Sequence, residues 1–147
     1  MPSHIFVYGT LRRAASSVIH HEWLDGCVYV ANGWMRGRLY EISHYPGAVE
    51  SQDLRDKVVG EVYKLDTQEA LDRLDQYEEC SASFPEPHEY SRKIVEVTIG
   101  GDESVLAWAY IFNREVVNLQ QIKSGDYLEF IESKTGDTTG MVSNVDV

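Results

Sequence analysis

Strand-like segments that contain glycines in their interior limit the folds open to this chain. Residues 27–42 are rich in valine, tyrosine and tryptophan and hold Gly33 and Gly37, and residues 57–65 hold Gly60. Glycine inside a strand marks a bulge, a sharp bend or the close approach of another backbone. Bent strands curl a sheet on itself, so the sequence predicts a strongly curled sheet or small barrel.

Further segments have the patterns of strands and turns. Residues 4–8 form a short apolar strand, and residues 92–99 alternate between apolar and polar side chains. After the hairpin signal Gly100-Gly101, residues 105–112 are apolar on both faces, as in a central strand. The Pro-Gly pair within residues 44–47 predicts a turn.

Short helices are expected between and after these strands. Asp66 and Glu69 have the spacing of a helix N-cap with a reciprocal glutamate, and Leu71 and Leu74 follow as an apolar stripe. The same Asp-x-x-Glu spacing begins a helix over 126–132. Because strands dominate and do not alternate with helices, the sequence predicts an α+β fold. A mixed, strongly curled, barrel-like β-sheet would carry a few short flanking helices.

Length and charge bound the organisation and the partners. The 147 residues are expected to form a single domain over 1–132, followed by a flexible C-terminal tail over 133–147. The net charge is -11, from 13 basic and 24 acidic side chains. Nucleic-acid binding depends on clustered Lys and Arg, and Arg12-Arg13 is the nearest approach to a cluster, so no nucleic-acid partner is expected.

The chain carries no pattern of a secreted or membrane protein. Its first residues lack the basic and apolar regions of a signal peptide, and no apolar run approaches the ~20 residues of a membrane span. Cys27 and Cys80 are expected to be free thiols, because a domain of this size does not need a disulfide. A cytoplasmic location without membrane contact is therefore predicted.

The tetrapeptide Tyr8-Gly9-Thr10-Leu11 follows the first strand and is a candidate anion site. Gly9 has no Cβ, so a turn here can present consecutive backbone N–H groups to a small anion. An ordinary strand-to-loop turn explains the same residues equally well.

Glu78 is a candidate for acid/base chemistry. It lies four residues after Leu74 and seven after Leu71, so a helix that continues to Glu78 places it on the buried face. Desolvation disfavours the charged form of a carboxyl group and raises its pKa toward neutrality, which suits proton transfer near pH 7. The alternative is a glutamate that ends a helix and meets Lys or Arg at the surface.

Metal and thiol chemistry have no support in the spacing of the ligands. The five histidines are dispersed, and His20-His21-Glu22 are adjacent and not one helical turn apart. Neither cysteine has a histidine placed by a motif. No metal site is predicted.

Several blocks together resemble the gamma-glutamylcyclotransferase-like family, in the family's order and over residues 5 to about 130. These blocks are Phe6-Val7-Tyr8-Gly9-Thr10-Leu11, Gly37-Arg38-Leu39-Tyr40, Tyr45-Pro46-Gly47, Leu71-Asp72-x-Leu74-Asp75-x-Tyr77-Glu78, Tyr90-Ser91-Arg92, Ala107-Trp108-Ala109-Tyr110 and Ser124-Gly125-Asp126-Tyr127.

The resemblance implies a six-stranded barrel-like sheet with flanking helices and a reaction that needs no cofactor. Members cleave a γ-glutamyl amide and release 5-oxoproline with an amine or amino acid. By this resemblance the Tyr8-Gly9-Thr10-Leu11 loop binds the α-carboxylate of the glutamyl group, Glu78 is the catalytic acid/base, and Tyr110 binds substrate or the developing oxyanion.

One departure from the family's pattern leaves the function open. Many members have glycine after the catalytic glutamate, whereas this chain has Glu79. A second carboxylate there would alter the pKa of Glu78 or disfavour an acidic leaving group. The alternative function is a non-catalytic binding module for a small carboxylate or γ-glutamyl-type ligand. A larger amine as leaving group is a further alternative, and the oligomeric state is not predicted.

Overall fold

A computed structural model describes residues 2–9, 11–12, 23–24, 26–65, 67–77 and 88–137 of the chain. The described elements, in chain order, are β1 (His4–Val7), β2 (Val28–Glu41), β3 (Pro46–Glu50), β4 (Lys57–Lys64), α1 (Gln68–Tyr77), β5 (Tyr90–Gly100), β6 (Glu103–Phe112), β7 (Gln120–Ile122) and α2 (Tyr127–Asp137).

Five strands close into a mixed barrel. They follow one another around the ring in the order β2-β4-β1-β6-β5, and β5 returns to β2 through the pair Trp34 and Thr98. The β1–β6 pair is parallel, with Ile5 opposite Trp108, and the other pairs in the ring are antiparallel. The second half of β2 leaves the ring and pairs with β3 and β7. The predicted α+β fold with a curled, barrel-like sheet is confirmed, with five strands in the closed ring and not six.

Each face of the barrel wall packs a separate apolar cluster. Successive side chains of β1 point to opposite faces and belong to different clusters. Phe6 belongs to a cluster with members from every strand, whereas Ile5 belongs to a cluster that includes Leu71 and Leu74 of α1. The first cluster therefore fills the barrel, and the second lies between the barrel and α1. Leu74 is fully buried there, and burial of a leucine side chain contributes about 1.5–3 kcal/mol.

The two described helices begin where short polar side chains cap them. In α1 the Ala70 amide donates to the Thr67 hydroxyl at 3.2 Å, so Thr67 acts as the cap; the predicted cap, Asp66, lies outside the described residues. In α2 the predicted cap is confirmed, because Asp126 Oδ1 accepts from the Leu128 amide at 3.1 Å. Neither helix, at 10 and 11 residues, has the length and hydropathy to cross a membrane.

Several local boundaries differ from those expected. Residues 27–42 contain one continuous strand, whose irregularity lies between Tyr29 and Ala31, ahead of the glycines. Pro46-Gly47 begins strand β3 and is not a turn; β3 is an edge strand, where proline is tolerated because no ladder bond is lost. Helix α2 continues through Asp137, beyond the expected end at 132. Cys27 forms no disulfide bond with another described residue, and Cys80 lies outside the described residues.

Candidate functional site

The described residues include four of the six predicted site residues. Tyr8, Gly9 and Leu11 follow β1, and Tyr110 lies in β6. Thr10 and Glu78 are outside the described residues, as is Glu79. The roles assigned to all six residues therefore stay predictions.

The Tyr8 side chain joins the end of β1 to two other strands. It is buried, and its hydroxyl donates to the Tyr110 carbonyl at 2.6 Å while it accepts from the Ala48 amide at 3.1 Å. Both partners are backbone groups, on β6 and β3. The hydroxyl thus holds the start of the loop against the barrel wall.

Gly9 lies against the ring of Pro46. A Cβ on Gly9 would stand 2.7 Å from Pro46 Cγ, which is closer than real Cβ contacts allow, and 3.0 Å from Cδ. The Arg12 amide donates to the Gly9 carbonyl at 2.9 Å and so closes a tight turn. Glycine at this position therefore serves the close approach of the loop to β3.

Tyr110 connects the barrel to the last turn of α1. Its hydroxyl donates to Asp75 Oδ1 at 2.7 Å, and Arg92 Nε lies 3.0 Å from the same oxygen. The Arg92 guanidinium also lies over the Trp108 ring, 4.3 Å from its centroid. A hydroxyl group donates one hydrogen bond, and the Tyr110 hydroxyl donates it to Asp75. To donate to an oxyanion, as predicted, Tyr110 would have to give up its hydrogen bond to Asp75.

Two hydrogen bonds therefore link the three segments named by the motifs. The first runs from the Tyr8 hydroxyl to the Tyr110 carbonyl, and the second from the Tyr110 hydroxyl to Asp75. Helix α1 is described as far as Tyr77, the residue directly before Glu78 in the sequence. The loop after β1 and the last turn of α1 thus belong to one bonded unit.

Reasoning from the sequence missed Asp75 and Arg92 as members of this site. Both stand inside the blocks that carry the resemblance, and that was the available signal. A second tyrosine of these blocks supports the same region: the Tyr90 hydroxyl donates to the Pro46 carbonyl at 2.7 Å, behind the proline ring that Gly9 contacts.

The carboxyl groups with resolved pKa shifts lie in the connection between β3 and β4. The Ser51 hydroxyl and the Arg38 guanidinium hold the pKa of Asp56 below its usual range. The Arg55 side chain, together with its backbone amide, lowers the pKa of Asp53 to about 2. Within the described part of the chain, no group of three or more His, Cys, Asp or Glu side chains is arranged to hold a metal ion.

Comparisons with known proteins identify the family. The family model described as "Gamma-glutamyl cyclotransferase, AIG2-like" matches residues 5–129. The gamma-glutamylcyclotransferase family protein YtfP of Escherichia coli K12 is 32% identical over 126 residues, which cover 85% of this chain and 96% of the relative. The chain belongs to the gamma-glutamylcyclotransferase, AIG2-like family.

Solved structures agree with this assignment. An AIG2-like protein of Mus musculus (GGACT) has a TM-score of 0.67 and 26% identity, over 86% of this chain and 88% of the other. The protein PH0828 of Pyrococcus horikoshii has a TM-score of 0.64 and 25% identity, over 91% and 97% of the two chains. The barrel and its helices are therefore the fold of this family.

Proposed function

We propose that the protein is a cyclotransferase that cleaves a γ-glutamyl amide by intramolecular attack of the α-amine. The products are 5-oxoproline and an amine or amino acid. Family membership supports an enzyme of this type. The observation that carries the proposal is the bonded unit of Tyr8, Tyr110 and Asp75, which links the loop after β1 to the helical turn that precedes Glu78.

The loop Tyr8-Gly9-Thr10-Leu11 is proposed to bind the α-carboxylate through backbone N–H groups. The turn is closed by the Arg12 amide and packs on Pro46. A turn held at both ends presents its amides without further ordering when a ligand binds, so little conformational entropy is lost on binding.

Glu78 is the proposed general acid/base. Its carboxylate takes a proton from the substrate's α-ammonium group, and the free amine attacks the γ-carbonyl carbon to form the new N–C bond. The tetrahedral intermediate then collapses. The Glu78 carboxylic acid gives its proton to the departing nitrogen as the C–N bond to the leaving group breaks, and the second proton on the ring nitrogen passes through the Glu78 carboxylate to the released amine, which leaves as an ammonium ion. The step consumes no water and needs no cofactor, since both reacting atoms belong to the substrate.

The proposed reaction depends mainly on the conformation of the bound substrate. The nucleophile and the carbonyl belong to one molecule, and well-oriented intramolecular attack supplies about 7–11 kcal/mol relative to a bimolecular reaction. Binding the α-carboxylate at the loop while Glu78 acts on the amine would bend the glutamyl chain toward the ring. The described position of Asp75, held by Tyr110 and Arg92, supports a fixed last turn of α1 for this purpose.

The test is detection of 5-oxoproline by mass spectrometry. Purified protein is incubated with a panel that runs from γ-glutamyl amino acids through glutathione to γ-glutamyl-lysine types. Glu78→Gln is assayed in parallel, with Glu69→Gln as the matched control because Glu69 is exposed in the first turn of α1. We expect product from the wild type and from Glu69→Gln, and none from Glu78→Gln.

Two results would contradict the proposal. A fully active Glu78→Gln protein would exclude this acid/base role. No product across the panel, combined with thermal stabilisation by 5-oxoproline in wild type and Glu78→Gln alike, would instead support a binding module, the alternative that Glu79 raises.

A further inference from the structure

Arg12 is a buried charge directly after the predicted carboxylate-binding loop. It is only 5% exposed, although arginine is rarely buried unless it is paired. Its Nη1 donates to Asp126 Oδ1 at 2.9 Å, and its Nε lies 3.6 Å from Glu61 Oε2. Among the described residues, Nε has no hydrogen-bond partner. The guanidinium therefore bridges β4 and the beginning of α2.

Its two acidic partners are themselves held in place. Glu61 is buried and accepts a hydrogen bond from the Tyr63 hydroxyl at 2.8 Å. Asp126 accepts from the Leu128 amide and so caps α2 with the same oxygen that Arg12 contacts. Gly125, just before the cap, has a φ of 73°, and a Cβ there would collide with the Lys57 carbonyl. The partners of Arg12 thus belong to rigid elements.

The backbone of Arg12 acts on the loop directly. Its amide closes the turn onto the Gly9 carbonyl at 2.9 Å, while its side chain reaches Asp126, 114 residues away in sequence. A rotation of the turn would carry the guanidinium away from both carboxylates. Because a buried ion pair contributes little net stability compared with apolar packing, orientation is the better explanation for this cluster.

We propose that Arg12 is a positioning residue that holds the Tyr8–Leu11 turn in its ligand-binding conformation by anchoring it to Glu61 and Asp126. Arg12 acts through the turn and does not contact the substrate. The functional part of this inference rests on the proposed function, whereas the anchoring itself does not.

The test measures the turn and the reaction separately in Arg12→Lys. Lysine keeps the charge but has a single ammonium group, so it cannot reproduce the forked contacts of the guanidinium. We expect amide hydrogen exchange at position 12 to accelerate roughly tenfold while exchange in β4 and β6 is unchanged. In the reaction, KM should rise roughly tenfold with kcat within about twofold, as when uniform binding is lost.

Arg38→Lys is the matched control. Arg38 lies in β2 and is ion-paired at 2.7 Å to Asp56, in the connection between β3 and β4. The Arg38 side chain is 45% exposed. The same substitution there should leave exchange at position 12 and KM unchanged. If Arg12→Lys does not fold, Asp126→Asn takes its place, because asparagine still caps a helix but removes the charge that Arg12 pairs with.

The readouts separate the two proposals. Folded Arg12→Lys with wild-type exchange at position 12 and wild-type KM would overturn the anchoring role. A general acceleration of exchange across the core with unchanged KM would also overturn it, since that is a purely structural effect. If the wild type releases no 5-oxoproline, the proposed function fails, and accelerated exchange confined to the turn would still support the anchoring.

Discussion

Removal of the Tyr8 hydroxyl tests whether the start of the loop is held by the barrel wall. In Tyr8→Phe the ring stays in place, but the Ala48 amide loses the hydroxyl that it donates to, and the Tyr110 carbonyl loses a donor at 2.6 Å. Ala48 and Tyr110 are both buried, so water does not replace the lost partner.

The expected loss of stability follows from the Ala48 amide and the Tyr110 carbonyl, which both lose a hydrogen-bond partner. A buried amide left without a partner costs about 1–3 kcal/mol, and a carbonyl that keeps its second lone pair costs about 1 kcal/mol. We therefore expect Tyr8→Phe to lose about 2–4 kcal/mol of the free energy of unfolding. At about 3 °C per kcal/mol for a domain of this length, the melting temperature should fall by roughly 6–12 °C.

The measurement is urea denaturation and thermal melting of Tyr8→Phe beside Tyr29→Phe. Tyr29 is the matched control because its hydroxyl bonds to Asn32 at the exposed surface, where water replaces the lost partner. Tyr29→Phe should change the free energy of unfolding by less than about 0.5 kcal/mol. Equal stability losses in the two variants would refute the inference that the Tyr8 hydroxyl holds the end of β1.

Two further perturbations test the packing of α1 and the ion pair of Asp56. Leu74→Ala truncates a fully buried side chain on the face of α1 that packs on the barrel, and it should lower the free energy of unfolding by about 2–5 kcal/mol in urea denaturation. Leu54→Ala, at a 74% exposed position, should lower it by less than about 0.5 kcal/mol. Similar losses in the two variants would contradict the packing of α1. The pKa of Asp56 is lowered by Ser51 and Arg38, so its ionised form stabilises the fold above the unfolded pKa of about 3.9, and that contribution is lost as the pH falls through the lower folded pKa. The melting temperatures of wild type and Asp56→Asn should therefore differ at pH 7 and converge as the pH falls below about 3.9, and a gap that stays constant would contradict this.

Much of the barrel was predictable because strand formation depends on local pattern. The alternation over residues 92–99 and the apolar run over 105–112 lie within β5 and β6, and their pairing follows from the turn at Gly100-Gly101. The sequence predicted a curled, barrel-like sheet, but it did not predict which two strands pair to close the ring. The contact of β2 with β5 joins residues more than sixty positions apart, which no local pattern encodes.

The candidate site, like the barrel, was only partly predictable from the sequence. The loop at Gly9 and the motif tyrosines were identified from the chain, because glycine and aromatic residues at set positions are visible in one dimension. In the sequence, Arg12 belongs to the pair Arg12-Arg13, and Asp75 stands in a motif block without an assigned role. The structure buries Arg12 between Glu61 and Asp126 and joins Asp75 to Tyr110 and Arg92.

Local sequence thus predicted most of the strands, the two described helices and the resemblance to the family, because propensity, turn chemistry and motif order are properties of neighbouring residues. The tertiary structure determines which charged side chains are buried and which hydroxyl groups form hydrogen bonds. The Arg12–Asp126 and Tyr8–Tyr110 contacts span 114 and 102 residues. Whether a polar side chain meets water or a partner depends on what the barrel brings beside it, and only the closed ring brings these residues together.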